Sequence, residues 1–285
     1  MAASVIVTSF NSATTLRQCL QSLTMQPCGE IIVADSSQED PAPALRLEFP
    51  GVEFHRCPAG TTVPAMRWAA LKRARFDVVL AVEARCVPDP GWVEAMEAAQ
   101  VRHPASPAIG GSVAIGGNPS TFDWALYFCE YGQFAPPLDE AEAKDISGAN
   151  LSYKRAALER EADLLNTGAW ETLLHLRWKT QGLKLFTVSS PVSFHNSMTP
   201  GIALQQRFHY GRGYAGNRAR RWAYLPFTPI LPVLLLWRIA RSARRSMYAS
   251  YFPAVIPWTV LLTLAWSVGE LVGYLAGPPR VNRNF

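Results

Sequence analysis

The stretch from Asp77 to Trp92 constrains the fold more than any other part of the chain. It opens with an apolar, β-branched run, Val78–Val82, which predicts a buried strand. Glu83 follows this strand directly, and a Pro-Asp-Pro-Gly turn then leads into a predicted helix at Trp92. Because ligands of open parallel sheets bind beyond the carboxyl ends of the strands, Glu83 stands where a ligand is expected. Taken alone, the carboxylate would be an ordinary polar strand end.

The segments around this stretch predict an α/β fold. Apolar runs predict further strands at Ser4–Ser9, Glu30–Ala34, Val52–His55, Ala108–Ile115, Leu183–Ser189 and Val192–His195. Helical periodicity predicts helices at Ser12–Leu23, from the turn at Pro64 to about Arg75, and at Trp92–Gln100, Phe122–Tyr131, Ala156–Leu165 and Ala169–Gln181. This order predicts a mostly parallel sheet with helices on both faces. No Gly-x-Gly-x-x-Gly follows the first strand, which disfavours a nicotinamide-type dinucleotide site.

Charge divides the chain into two parts. Residues 1–205 contain 16 Lys/Arg and 21 Asp/Glu, whereas residues 206–285 contain 11 Arg and one acidic residue, Glu270. The basic part also holds two long apolar runs, Trp222–Trp237 and Phe252–Val268. This combination favours the cytoplasmic face of a membrane and argues against a nucleic-acid partner. We therefore expect a catalytic domain over residues 1–199 and a basic, apolar, membrane-associated helical region over residues 200–285.

The two apolar runs differ in their fit to a bilayer, whose core needs about 20 apolar residues. The first run is shorter than this and contains Pro226, Pro229 and Pro232, which favours an interfacial or re-entrant segment. The second is long enough only from Pro253 to Gly277, and it then includes Glu270. It is either a span with an intramembrane acid or a deeply seated amphipathic helix, so the number of spans stays open.

The cysteines and the amino-terminal sequence bear on the compartment. Five scattered cysteines without a Cys-x-x-Cys pair indicate a reducing compartment and argue against a zinc site or a disulfide framework. The first residues lack the basic leader and long apolar core of a signal peptide. We expect a cytoplasmic catalytic domain attached to the inner or plasma membrane.

Six short motifs occur in an order that resembles glycosyltransferase family 2. They are Ser4-Val-Ile-Val-Thr-Ser-Phe-Asn11, Asp35-Ser36-Ser37, the strand ending at Glu83, Gly148-Ala-Asn150, Trp170-Glu171 and His195. The resemblance covers about residues 3–195. It implies the GT-A fold, a Rossmann-like arrangement with a mixed, mostly parallel sheet. It also implies an inverting transferase with a nucleotide-sugar donor, for which a UDP-sugar is expected.

The resemblance also implies donor-binding roles for residues at the strand ends. Thr8 and Asn11 fall where the family surrounds the base and the ribose. Asp35 matches an acidic residue that hydrogen-bonds the base, and Arg67 matches an arginine near the nucleotide. A purely structural role for Asp35, as a residue that caps the turn with Ser36 and Ser37, remains open.

Glu83 and Arg85 fall on the family's metal-binding Asp-x-Asp motif, which here reads Glu-Ala-Arg. Mn²⁺ or Mg²⁺ on a diphosphate needs oxygen ligands, which an arginine cannot supply. Three interpretations follow: Glu83 and His195 hold the cation together, Arg85 itself offsets diphosphate charge, or the site does not work. Some branches of the family carry Glu-x-x-Cys-x-Pro-x-x-Gly-Trp, as this chain does up to Trp92, which favours a working variant.

On the acceptor side, Glu171 matches the family's general base, which takes a proton from the attacking hydroxyl. Gly148, Asn150 and Trp170 fall near the acceptor in the same resemblance. Without it, Glu171 would be interpreted as a solvated helix residue and Trp170 as core.

Two arginines after the predicted domain could also meet phosphate. Arg207 and Arg212 lie in a Gln- and Arg-containing segment that loosely resembles one in membrane-embedded family members. They would contact the diphosphate or a lipid phosphate, for which a planar guanidinium is suited. Lipid headgroup contact alone explains them equally well.

The leading hypothesis is a membrane-associated inverting glycosyltransferase that modifies a lipid-linked or polysaccharide acceptor in polysaccharide biosynthesis. The alternative is a catalytically inactive, glycosyltransferase-like membrane partner in an envelope-polysaccharide assembly complex, which the Glu-Ala-Arg sequence would explain. A third is a soluble nucleotide-sugar enzyme with an unrelated apolar tail.

Overall fold

The structure is a computed structural model that describes residues 2–166, 171–218 and 220–278. The chain forms two compact units. Unit 1 comprises Met1–Ala114 and Pro136–His195, and unit 2 comprises Ile115–Ala135 and Asn196–Phe285. Unit 2 thus includes residues 115–135 in addition to the C-terminal segment. The functional division at residue 199 stays a prediction.

Unit 1 is an α/β unit built on a nine-stranded sheet. Its strands are β1 (Ala3–Ser9), β2 (Glu30–Asp35), β3 (Val52–Arg56), β4 (Val78–Glu83), β5 (Cys86–Pro88), β6 (Ala108–Ile115), β7 (Ala141–Ala143), β8 (Asn150–Lys154) and β9 (Leu185–Phe194). The last residue of β6, Ile115, is the one described strand residue that belongs to unit 2. Its helices are α1 (Ala13–Thr24), α2 (Ala42–Glu48), α3 (Val63–Leu71), α4 (Trp92–Arg102), α6 (Arg155–Glu159), α7 (Ala162–Leu165) and α8 (Glu171–Thr180).

The strand order is β3-β2-β1-β4-β8-β6-β9-β5, with β7 paired to β9. Strands β1 to β4 run parallel, whereas β8 joins β4 in the antiparallel direction. Strand β1 lies between β2 and β4 and is buried along its whole length. Such burial on both faces is why its sequence is a continuous apolar run rather than an alternating one. The predicted α/β class with a parallel core is confirmed.

Several predicted boundaries were wrong in detail. The two strands expected at Leu183–Ser189 and Val192–His195 are one strand, β9, which carries Pro191 and changes partners from β7 to β5 along its length. The helix expected at Ala156–Leu165 is broken between α6 and α7, where the buried Glu161 accepts a hydrogen bond from Arg177. Strands β5, β7 and β8 and helix α2 were not predicted.

Unit 2 contains four α-helices in the described residues, α5 (Thr121–Glu130), α9 (Pro200–Gly216), α10 (Leu231–Ala243) and α11 (Phe252–Ala276). Helices α9 and α11 approach each other through glycines. A Cβ at Gly211 would overlap the carbonyl oxygen of Trp266, and one at Gly269 would overlap that of Phe208. Aromatic stacking of Trp124 on Tyr251, with ring centroids 4.3 Å apart, ties α5 to the start of α11.

Within the described residues, one helical stretch, Ala249–Ala276, is long and apolar enough to cross a membrane. The earlier apolar run is divided into a 3₁₀ segment, Arg221–Phe227, and α10, whose axes differ in direction by 81°. Glu270 does not face solvent: it accepts hydrogen bonds from Trp266 Nε1 and Tyr274 Oη on its own helix.

We expect Gly211→Ala to destabilise unit 2, because the added methyl group collides with the backbone of α11. The melting temperature in detergent should fall by about 5 °C or more. Gly213→Ala is the matched control on the same helix, since among the described residues no atom beyond the adjoining backbone of α9 lies within 4 Å of its Cβ position. It should leave stability unchanged or raise it by about 1 kcal/mol through helix propensity. Equal effects of the two changes would contradict the close packing of α9 on α11.

Candidate active site

The carboxyl ends of β1, β2 and β4 bring several predicted residues to one edge of the sheet. Thr8 lies opposite Glu83 of β4, and Ser9 lies opposite Asp35 of β2. Parallel strands end at a common edge, so residues distant in sequence meet there. This edge is the place at which a ligand was expected.

Asp35 is the centre of a hydrogen-bond network between the first two strand ends. Its Oδ1 accepts from the Ser37 amide at 3.0 Å and from the Arg56 guanidinium, and its Oδ2 accepts from Ser37 Oγ at 2.6 Å. Ser37 Oγ in turn accepts from the amide of Asn11 at 2.7 Å. Asn11 takes a left-handed conformation (φ 48°), which asparagine tolerates, and its Oδ1 accepts from Gln38 N at 2.9 Å. Asn11 and Asp35 thus hold two loops together.

Arg56 was missed in the sequence prediction. It ends β3 directly opposite Asp35, and it also donates to the carbonyl oxygen of Ser37. The signal available in the sequence was the alignment of strand ends in a parallel sheet, which places an arginine beside an aspartate.

Three buried polar atoms near these strand ends have no hydrogen-bond partner among the described residues: Thr8 Oγ1, Ser9 Oγ and Arg67 Nε. Buried polar groups in native proteins are nearly always paired with protein or solvent. Thr8 Oγ1 and Ser9 Oγ lie on opposite faces of the sheet at the carboxyl end of β1, where a polar ligand or ordered water would satisfy them.

Arg67 links three separate parts of unit 1. Thr62 caps α3 and Pro64 occupies its first turn, which puts Arg67 one turn further on, with 9% of its side chain exposed. Its guanidinium donates to Glu171 Oε1 and to the carbonyl oxygen of Gly148. One of its nitrogens also lies 3.6 Å from Glu83 Oε1. The predicted donor arginine is thus in contact with the predicted general base.

Glu171 is the first described residue of α8 and lies in its first turn, where the helix dipole favours a negative charge. Its side chain is 14% exposed and its Oε1 is held by Arg67. Oε2 lies toward Gly148, where an added Cβ would be 3.6 Å from Oε2 and 3.3 Å from Arg67 Nη1. A side chain at Gly148 would therefore crowd the Arg67 guanidinium and contact the Glu171 carboxylate.

The Glu83 carboxylate lies between two guanidinium groups. Its Oε1 is 3.6 Å from Arg67 Nη2, and its Oε2 is 3.5 Å from Arg85 Nη2. Arg85 is 15% exposed and also lies over the ring of Phe194, 5.5 Å from the centroid. His195 lies directly after the end of β9, and its amide donates to the carbonyl oxygen of Arg85 at 2.7 Å.

These donors do not fit a divalent cation. A cation on Glu83 would lie 2.0–2.6 Å from a carboxylate oxygen, and therefore against at least one of two guanidinium groups that are within 4 Å of those oxygens. The described residues contain no group of three or more His, Cys, Asp or Glu side chains that could hold a metal ion. Burial lowers the pKa of His195, which keeps its imidazole neutral at neutral pH, so His195 and Glu83 would offer a cation one imidazole and one carboxylate.

Asn150 is a structural residue of the sheet. Its buried amide nitrogen donates to the carbonyl oxygens of Ser112 and Ser190, both at 2.7 Å, and its Oδ1 accepts from Trp92 Nε1 at 2.8 Å. These bonds commit both donors of the amide and one acceptor position. Asn150 thus fixes β8 and α4, and its predicted acceptor role has no exposed surface to act through.

A second buried network holds the loop that carries Gly148. His175 of α8 lies 3.1 Å from Tyr153 Oη through Nε2 and 3.0 Å from Asp145 Oδ1 through Nδ1. Burial raises the pKa of the Tyr153 hydroxyl, so the hydroxyl stays protonated and can donate to Nε2. Nδ1 then carries the proton that is shared with Asp145. His175 therefore joins α8 to both ends of the segment between Asp145 and Tyr153.

Three of the predicted residues do not belong to the described part of unit 1. Trp170 is outside the described residues. Arg207 and Arg212 belong to unit 2, where Arg207 is buried over the Trp266 ring at 4.5 Å and Arg212 Nε donates to the Gly277 carbonyl oxygen at 3.2 Å. Their roles toward a phosphate stay predictions.

The model of the family described as "Glycosyl transferase family 2" matches residues 4–161, more than half of the chain. No curated protein sequence matches. Among solved structures, S. aureus TarS 1–349 in complex with UDP is similar at 14% identity, covering 95% of this chain and 91% of that chain with a TM-score of 0.52. Glucosyl-3-phosphoglycerate synthase from Mycobacterium tuberculosis in complex with Mn²⁺, UDP and glucosyl-3-phosphoglycerate has 14% identity, coverage of 74% and 77%, and a TM-score of 0.49. At such identities the likeness concerns the fold.

We expect His175→Ala to cost about 2–3 kcal/mol, because Tyr153 and Asp145 both lose a partner. The melting temperature should fall by about 5–10 °C. Leu173→Ala, which removes a half-exposed side chain from the same helix, is the control and should change stability little. An unchanged melting temperature for His175→Ala would show that this network does not hold the loop.

Proposed function

The chain belongs to glycosyltransferase family 2, and on this premise we propose an inverting transferase that moves a sugar from a nucleotide-sugar donor, with a UDP-sugar expected. The acceptor is a lipid-linked or polysaccharide glycan at the cytosolic face of the membrane. The observation that carries the proposal is the position of Glu171. Arg67 holds this carboxylate beside Gly148 and beside Glu83 at the carboxyl end of β4.

The donor site is assigned to the edge formed by β1, β2 and β4. The loops held by Asp35, Ser37 and Asn11 form its rim, where the base and the ribose would bind. The buried hydroxyls of Thr8 and Ser9, which have no partner among the described residues, support a polar ligand there. UDP bound to the similar S. aureus TarS agrees with a uridine nucleotide as donor.

The chemistry assigned to Glu171 is proton abstraction. The acceptor hydroxyl oxygen attacks the anomeric carbon from the face opposite the leaving group and forms a new C–O bond, while Glu171 takes the hydroxyl proton. The bond between the anomeric carbon and the phosphate oxygen breaks, and its electron pair leaves with the nucleoside diphosphate. One new glycosidic bond with inverted configuration results, together with one protonated carboxylate.

Arg67 positions the general base, Glu171, in this proposal. Its hydrogen bond to Glu171 Oε1 fixes the carboxylate plane, and its bond to the Gly148 carbonyl fixes the facing loop. A base held in one orientation avoids the loss of rate that follows a misplacement of about 1 Å.

Membrane attachment rests on the surface of unit 2. Large apolar side chains there are exposed, among them Phe227, Val233, Leu234, Trp237, Leu261 and Leu264. Several polar groups of α11 are satisfied within the helix: Thr259 Oγ1 donates to the Val255 carbonyl at 3.0 Å, and Ser267 Oγ to that of Thr263 at 2.8 Å. Both properties suit an apolar environment, in which exposed polar groups are costly.

The catalytically inactive alternative draws on Arg85, which stands where the family usually has a metal-binding carboxylate. It predicts no sugar transfer with any donor. The active enzyme draws on the position of Glu171, which Arg67 orients beside Gly148.

We expect Glu171→Gln to lower kcat about 100- to 10,000-fold, because the amide cannot accept the proton. Donor affinity should stay near that of the unchanged protein, measured by nucleotide binding beside sugar release. Glu94→Gln is the matched control: it also removes a carboxylate from the first turn of a helix, at an exposed position. Full activity of Glu171→Gln would refute the assignment of the base, and absence of transfer by the unchanged protein would favour the inactive partner.

We also expect the full-length protein to stay with membranes after alkaline carbonate extraction. The double change Leu261→Arg and Leu264→Arg should release it, since each arginine near the centre of a span costs about 3 kcal/mol. These side chains are 47% and 42% exposed. Leu47→Arg with Val101→Arg, at exposed positions of unit 1, is the control and should not release it. Retention of the Leu261/Leu264 variant would contradict anchoring through α11.

A further inference from the structure

The cluster of charges at the end of β4 is balanced without a metal ion. Arg67 and Arg85 carry two positive charges, and Glu83 and Glu171 carry two negative charges. The four side chains have between 9% and 20% of their surface exposed, so solvent screens them only in part. A carboxylate at position 85 would leave the same cluster with two net negative charges, the deficit that one divalent cation offsets.

The contact between Arg85 and Glu83 is longer than a normal N–H···O hydrogen bond of 2.7–3.2 Å, since the closest guanidinium nitrogen lies 3.5 Å from Glu83 Oε2. The contact is therefore mainly electrostatic. A phosphate oxygen offers a planar guanidinium a shorter, charge-assisted bond, which is the geometry that arginine is suited to form.

Glu83 then has a different task from ligating a metal. Its two oxygens face Arg67 and Arg85, so that one carboxylate lies between the Arg67 guanidinium, which positions Glu171, and the Arg85 guanidinium at the end of β4. We propose that Arg85, in place of a divalent cation, offsets the charge of the diphosphate leaving group, so that sugar transfer needs no metal. This inference rests on the proposed function. As the bond from the anomeric carbon to the phosphate oxygen breaks and its electron pair passes to that oxygen, Arg85 donates N–H hydrogen bonds to the diphosphate.

The test uses the full-length, detergent-solubilised protein freed of metal with a chelator, and two probes, UDP and inorganic pyrophosphate. Pyrophosphate lacks the nucleobase and the ribose, so its binding reports on the diphosphate position alone. Calorimetry in chelator and in Mn²⁺ should give dissociation constants that agree within about twofold, a difference of less than 0.5 kcal/mol. Sugar release from the donor should likewise persist in chelator.

Arg85→Asp should weaken binding of both probes in chelator by about 10- to 100-fold, the effect of losing one charge-assisted pair. Mn²⁺ should restore part of this loss, because the aspartate leaves the cluster with two net negative charges, which one divalent cation offsets. Arg85→Lys keeps the charge and should stay independent of metal, which guards against a folding defect in the aspartate variant. Arg102→Asp, at an exposed arginine paired with Glu140, is the matched charge-reversal control and should behave as the unchanged protein.

The outcomes separate this inference from the function on which it rests. Probe binding or sugar release by the unchanged protein that requires Mn²⁺ overturns the inference and leaves the transferase function standing. Equal affinity of Arg85→Asp and the unchanged protein in chelator also overturns it. Failure to bind either probe and to release sugar in both conditions overturns the inference and the proposed function together.

Discussion

The buried guanidinium of Arg67 is the interaction on which the candidate site depends. Removing a cation from water costs several kcal/mol, and only well-placed partners offset that cost. Here Glu171 and the Gly148 carbonyl bond to it, and Glu83 adds charge at 3.6 Å. These partners come from α8, from the loop before β8 and from the end of β4. The site therefore exists only when these segments are folded together, and its carboxylates are held in place before any ligand arrives.

Two further polar networks hold the same edge of the sheet. Asn150 joins β8 to the carbonyl groups of Ser112 and Ser190 and to the indole of Trp92, and His175 joins α8 to the loop that contains Gly148. Buried networks of this kind stabilise a single arrangement only when every member is satisfied. This explains why the chain keeps polar residues in a region that apolar packing could have filled.

The parallel core could be predicted because its strands are continuous apolar runs that end in polar residues. Strand β8 could not, because its buried residues include Asn150 and Ser152, whose burial depends on hydrogen bonds from other segments rather than on hydrophobicity. Strand β5 covers only Cys86–Pro88, too short a run to show a period. Helix α2 has only seven residues, and the exposed Leu47 lies between the buried Leu45 and Phe49, which hides its apolar face in the sequence.

The motif order placed Glu83, Gly148 and Glu171 in one site, and the structure brings them together through Arg67. The sequence did not show that Arg67 contacts the base, because that pairing spans 104 residues. Nor did it show that Arg56 meets Asp35, or that Asn150 is buried inside the sheet. Each of these contacts depends on the register of the strands and on the direction in which the loops leave them, and local sequence patterns encode neither.

Unit 2 follows a different physical logic from unit 1. Its helices α9 and α11 approach through Gly211, Gly269 and Gly273, which allow backbone contact where large side chains would not. Small residues at helix contacts are typical of membrane proteins, in which close packing and hydrogen bonds replace the hydrophobic effect between helices. Glu270 fits the same logic, because Trp266 and Tyr274 one turn to either side satisfy both of its oxygens. An acid that is satisfied by its own helix can lie in an apolar region without a partner from solvent, so the length and composition of α11 are compatible with a span despite this carboxylate.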